Sequence, residues 1–156
     1  MTLTLAQLLG TPADADEFSL DGALEIGNKS TAGSSAIAAG RVVFLTQATG
    51  VWAIATSGST GRMGVVPNLA PLNVDADGTL TVAARTGARY YVEANGAIKP
   101  GGQVIPDTGG KVKATTGGAG FAVYEGHYGE GSGLGNAPTD AAAAEAVRIR
   151  LTGTVV

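Results

Sequence analysis

The chain contains no cysteine. Disulfides, thiol nucleophiles and cysteine-ligated zinc are excluded together, and the redox compartment is left open. Histidine is almost as scarce, with His127 the only one, and no G-x-S-x-G elbow is present. A hydrolase of the Ser-His-Asp type would therefore lack both its turn and a choice of base. Cations are few and scattered: the net charge is −3 and the pI about 5.0, with no run of Lys and Arg. Phosphate binding needs clustered cations that displace counterions, so nucleic acid is not an expected partner. No apolar run approaches the roughly 20 residues that span a bilayer. The first ten residues hold neither Lys nor Arg and no small-residue cleavage pattern, so no membrane partner and no secretory signal is expected. The chain reads as soluble and made in the cytosol.

What is present is small and apolar. Hydrophobic residues make up 44% of the 156, yet aromatics only 5% and charged residues only 15%, so Ala, Val, Leu and Ile supply most of the core. Such a chain builds one domain with a thin interior. Twenty-five glycines against six prolines favour many short strands over long helices. The expected fold is all-β, a small barrel or sandwich built from two hairpin-type repeats with an extended N-terminal arm.

The arm is read over residues 1–30, and a single β domain over 31–156. Leu3, Leu5, Leu8 and Leu9 are followed by Asp14, Asp16, Glu17, Asp21 and Glu25, with no basic residue before Lys29. This is either an arm that contacts a neighbour or an edge strand with a solvated loop. Beyond it, strands are expected at 41–46, 51–55, 63–66, 72–74, 79–83, 88–93, 103–105, 111–114, 120–124 and 146–152. The last has the clearest period: Val147, Ile149 and Leu151 point one way and Arg148 and Arg150 the other, which predicts one wet face. Ala36-Ile37-Ala38-Ala39-Gly40 with the strands after it resembles Ala97-Ile98-Lys99-Pro100-Gly101 with the strands after that. Two repeat units, about 36–66 and 97–124, are expected to pack against each other because neither hairpin buries its apolar face alone. Thr139-Asp140 before a run of alanines predicts two turns of helix or a mobile Ala-rich loop, and the glycine-dense stretch at 129–135 reads as a flexible loop.

Chemistry-bearing patterns are weak. Gly22 to Ser30 imitates a phosphate loop, but Asn28 is inserted before Lys29 and no helix pattern follows, so the lysine cannot take its phosphate position. Asn73 to Gly78 matches half of a calcium loop, but Ala84 stands where the bidentate glutamate belongs, and Asp77-Gly78 reads as a hairpin turn. Gly129 to Gly135 lacks the spacing of a dinucleotide loop. No catalytic residue, metal ligand or cofactor is assigned. His127, between Gly126 and Tyr128, reads as a surface or interface residue. An enzyme would need a concave pocket collecting at least two of His127, Asp107 and Glu125.

One family resemblance emerges. Ala97-Ile98-Lys99-Pro100-Gly101-Gly102 leading to Val104, then Gly110-Lys111-Val112-Lys113-Ala114, Ala119-Gly120-Phe121-Ala122 and a closing Val147-Arg148-Ile149-Arg150-Leu151 resemble bacteriophage capsid cement, or head decoration, proteins. The resemblance covers about 36–151 and rests on strand-and-turn patterns; the Gly- and Ala-rich stretch 126–145 departs from it. It implies a structural, non-enzymatic virion protein on the capsid exterior, made in the host cytoplasm. It also implies a homo-oligomer, most often a trimer, that binds the major capsid protein and reinforces the shell. The residues expected to make those contacts are Leu3, Leu5, Leu8, Leu9, Asp14, Asp16, Glu17 and Trp52. The alternative is a glycan- or host-binding β module, whose mark would be a groove with Trp52 beside a tyrosine.

Overall fold

The structure, a computed structural model, describes residues 2–5, 24–30, 37–67, 78–131 and 135–153, with backbone alone at 24–26 and 79. The expected strand at 72–74 lies outside the described residues.

The chain is all-β, as its glycine spacing and β-branched runs require. Among the described residues the strands are β1 (Leu24–Asn28), β2 (Val42–Leu45), β3 (Trp52–Ile54), β4 (Met63–Val65), β5 (Thr79–Ala83), β6 (Arg89–Glu93), β7 (Gln103–Asp107), β8 (Lys111–Ala114), β9 (Ala122–Gly126) and β10 (Ala146–Leu151). They form two antiparallel sheets of five strands, ordered β1-β5-β4-β2-β3 and β6-β10-β9-β7-β8. Adding five to each number of the first order gives the second, so the two sheets share one topology.

The registers match as well. Leu24↔Ala83 to Asn28↔Thr79 in the first sheet corresponds to Arg89↔Arg150 to Glu93↔Ala146 in the second. Val43↔Ile54 and Val43↔Gly64 correspond to Val104↔Ala114 and Val104↔Ala122. In each sheet a parallel bridge brings the two outermost strands together, Lys29↔Trp52 in one and Ala94↔Val112 in the other. The turn hydrogen bonds repeat too. Ser30 N–H donates to Trp52 C=O and Asn95 N–H to Val112 C=O, both at 2.7 Å; Gly40 N–H donates to Val66 C=O and Gly101 N–H to Tyr124 C=O, both at 2.8 Å. The repeat read at 36–66 and 97–124 corresponds to the second, third and fourth strands of each unit in chain order, β2–β4 and β7–β9. The first and fifth in chain order are β1 and β5 in one unit and β6 and β10 in the other. Residues 24–28 of the expected arm are therefore part of the first sheet rather than an extension from it.

The interiors are filled differently on the same frame. Trp52 is buried in the first unit with Val43, Val66, Leu80 and Val82. Gly27, on β1, makes room for it: a Cβ there would lie 2.6 Å from Trp52 Cδ1. By register the second unit has Val112 where the first has Trp52, and Val92 where it has Gly27. A large–small pair has been exchanged for two of middling size, which conserves volume and hence packing. The larger core joins the units. Val42, Met63, Val65 and Ala83 of the first pack into the cluster of Tyr90, Val92, Val104, Tyr124, Val147 and Ile149 of the second.

The expected helix at 139–146 does not form. Ala141 instead exchanges backbone hydrogen bonds with Ile98, Ala144 N–H donates to Ala94 C=O, and Ala144 takes φ +68°. Pairing across the chain satisfies the same donors that a short helix would, and a two-turn helix has too few bonds of its own to compete.

Candidate functional site

Along β6, β9 and β10, alternation puts Tyr90, Val92, Tyr124, Val147, Ile149 and Leu151 into the core and turns Arg89, Glu93, Glu125, Arg148 and Arg150 outward. The register of β9 on β10 shifts between Arg148 and Ile149, so Glu125 is the extra residue of a bulge. Bulges re-aim side chains, and this one centres a carboxylate among three guanidinium groups. Arg89 Nε is 2.7 Å and Arg150 Nε 2.8 Å from Glu125, with Arg148 Nε at 3.7 Å. Burial pushes the Glu125 carboxyl up, but hydrogen bonds from Arg89 and Arg150 bring it below its ordinary value. Farther along the same face, Glu93 pairs with Arg41 at 3.1 Å and Lys111 at 2.8 Å. Asp107 accepts from Asn95 at 2.9 Å and faces Lys113 at 3.4 Å. The Asn95 bond, against the opposing effect of burial, holds the Asp107 carboxyl below its usual range.

The face expected to be wet is covered at Arg148, which is fully buried. Its cover is the chain that leaves β9. At Gly126 the backbone turns with φ +138°, and the following residues fold back over β10. Gly131 lodges at φ +68°, where a Cβ would stand 3.0 Å from Glu125 C=O and 3.2 Å from Arg148 Nη2. Arg148 Nη2 donates to Glu130 C=O beneath it.

At the centre of this cover is His127, read as a surface or interface residue but 1% exposed and enclosed by the chain's own fold. Its Nδ1 lies 3.1 Å from Glu130 Oε2 and its Nε2 2.7 Å from Glu145 Oε2. Glu130 Oε2 also accepts from the backbone N–H of His127 at 2.9 Å and of Thr139 at 3.1 Å, while Oε1 accepts from the Thr139 hydroxyl at 2.8 Å. Glu145 Oε2 accepts the Ala142 N–H at 2.7 Å. Tyr124 packs edge-on against the ring and donates its hydroxyl to Thr139 C=O at 2.8 Å. Burial alone would raise the Glu130 carboxyl, yet the donors from His127 and Thr139 bring it from 4.5 down to about 2. Burial, followed by Glu130, Glu145 and Asp140, pushes the Tyr124 phenol up. Of the 129–135 stretch read as a flexible loop, residues 129–131 are therefore tied at several points, and 132–134 lie outside the described residues. Glu130, Thr139 and Glu145 escaped the sequence reading; the spacing of His127 and Glu130, three apart in a run of glycines, was the available signal.

The expected contact residues divide. Leu5 is buried with Tyr91 and Ala146, Leu3 packs beside them, and Ala146 N–H donates to Leu3 C=O at 2.8 Å. Trp52 is 2% exposed. These three are used inside the chain, the leucines because the Leu3 carbonyl accepts from the start of β10 and Leu5 packs beside it, and Trp52 because Gly27 admits it. Leu8, Leu9, Asp14, Asp16 and Glu17 lie outside the described residues. Among the described residues, one surface depression of about 250 Å³ lies beside Arg62, Thr86 and Leu151 and another of about 390 Å³ beside Leu5, Arg41 and Glu93. Neither gathers His127, Asp107 or Glu125. Among the described residues no group of three or more His, Cys, Asp and Glu is set to hold a metal ion, and no helix is long and apolar enough to cross a membrane. No family model and no curated protein matches the chain.

Proposed function

We propose that the chain is a structural virion protein that binds the outer surface of a phage capsid and stabilises it by bridging major capsid protein subunits, with a homotrimer as its working form. The observation that carries this reading is where the ionisable side chains go. Glu93, Asp107, Glu125, Glu130 and Glu145 each bond an arginine, lysine, histidine or backbone N–H of the chain's own fold. Charged groups used in this way stabilise a scaffold, and a scaffold acts through its surface. The strand-and-turn pattern over 36–151 supports the same reading through its resemblance to cement proteins.

The parallel bridges occupy main-chain groups of the outermost strands, so attachment through side chains and loops is favoured over addition of a partner strand. Leu8, Leu9, Asp14, Asp16 and Glu17 remain the proposed capsid contacts, and Leu3, Leu5 and Trp52 are withdrawn. The glycan-binding alternative loses its platform with Trp52 enclosed. The test is co-sedimentation of the purified protein with capsids that lack it, together with its mass in solution. Saturable binding by a trimer is the expected result; a folded protein that stays in the supernatant at every capsid concentration overturns the reading.

A further inference from the structure

We propose that residues 126–131 and 135–146 form a proton-held clasp, closed on a His127 ring that carries hydrogen on both nitrogens and opened when one of those protons leaves. The inference comes from counting donors and acceptors. An ionised carboxylate only accepts, and a neutral imidazole has one donor and one acceptor. Nε2 faces Glu145 Oε2 at 2.7 Å and Nδ1 faces Glu130 Oε2 at 3.1 Å. Two hydroxyls also lie 3.2 Å from Nδ1, those of Tyr124 and Thr139. Each has its hydrogen committed, Tyr124 to Thr139 C=O and Thr139 to Glu130 Oε1. Every neighbour of the ring therefore presents a lone pair, and only the doubly protonated ring answers all of them.

A ring with one proton sets its own lone pair against a carboxylate. At 1% exposure no bulk solvent is at hand to relieve that contact. The carboxylates facing the ring balance its charge, Glu130 on its own turn and Glu145 from the segment leading into β10, while the neutral Tyr124 phenol of β9 faces it with a lone pair. Arg148 of β10 holds Glu130 through its carbonyl, and Asp140, paired with Lys99 at 3.2 Å, stands beyond Tyr124. The ring joins two parts of the chain, because Glu130 gathers the N–H of His127 and Thr139 while Glu145 gathers that of Ala142. Removing the central cation leaves two carboxylates on opposite sides of one small space, which favours opening. Opening uncovers Arg148 and frees the segment that carries the exposed Tyr128. This inference is independent of the capsid reading.

The test uses the full chain. Imidazole ¹⁵N shifts report ring protonation, and amide hydrogen-exchange protection factors report closure at His127, Thr139 and Ala142, with the amides of β10 as reference. The expected result is two protonated ring nitrogens whenever the three amides are protected. As pH rises and the ring loses a proton, the three amides should lose tenfold or more of their protection with the same midpoint, while β10 holds. Glu145→Gln removes one countercharge, so its opening midpoint should fall to lower pH. A singly protonated ring while the amides are protected, or a midpoint unmoved in Glu145→Gln, overturns the proposal.

Discussion

Replacing Glu130 by glutamine keeps the shape of the side chain and removes the charge on which four hydrogen bonds converge. The carboxyl is brought from 4.5 to about 2 by folding. At about 1.4 kcal/mol for each pH unit, that depression corresponds to about 3 kcal/mol of folding free energy at neutral pH. Glu130 is 7% exposed, so solvent screening removes little of it. The sign follows from linkage. A depressed folded-state value means that the unfolded chain binds the proton more readily, so the stabilisation is complete above the ordinary value of 4.5 and is lost as pH falls toward 2. At pH 3, between those limits, less than half of it remains. Urea unfolding of the wild type and Glu130→Gln at pH 7 and pH 3 should therefore show a gap that narrows roughly twofold on acidification. A gap under about 1 kcal/mol at pH 7, or one equally wide at both pH values, would refute the claim that an ionised Glu130 ties this segment down.

Three further outcomes are expected. Gly131→Ala, at φ +68° against Glu125 and Arg148, should destabilise by about 2–3 kcal/mol in urea, whereas Gly129→Ala, at φ +81° with open space around it, should cost about half as much. Trp52 is the only tryptophan and is 2% exposed. Its emission should be blue-shifted, resistant to an aqueous quencher and unchanged by capsids, and Trp52→Ala should cost about 3–5 kcal/mol by thermal or urea unfolding. Leu5→Ala should destabilise the chain by about 2 kcal/mol, since Leu5 packs on Tyr91 and Ala146; an unchanged unfolding midpoint would show that residues 2–5 are not docked on the second sheet.

Composition and period by themselves determined the all-β class and the approximate place of nine strands, because glycine spacing and β-branched runs act locally. The chain also showed a repeat through the Gly40 and Gly101 turns. It did not show the extent of that repeat, since β1 reads as part of an acidic arm until its pairing with β5 is seen. The alanine run after Thr139 misled for a related reason: propensity is a local preference, and cross-chain bonds to Ala94 and Ile98 overrode it. The burial of Trp52 depended on Gly27, a partner 25 positions earlier in the sequence but adjacent across the closed sheet. His127 looked exposed because its neighbours in sequence are Gly126 and Tyr128. Only the return of the chain over β10 brings Glu130, Thr139 and Glu145 around it. Local pattern specified which residues make strands. Tertiary structure decided which charges meet, because electrostatic and packing partners are set by distance in space and not by distance along the chain.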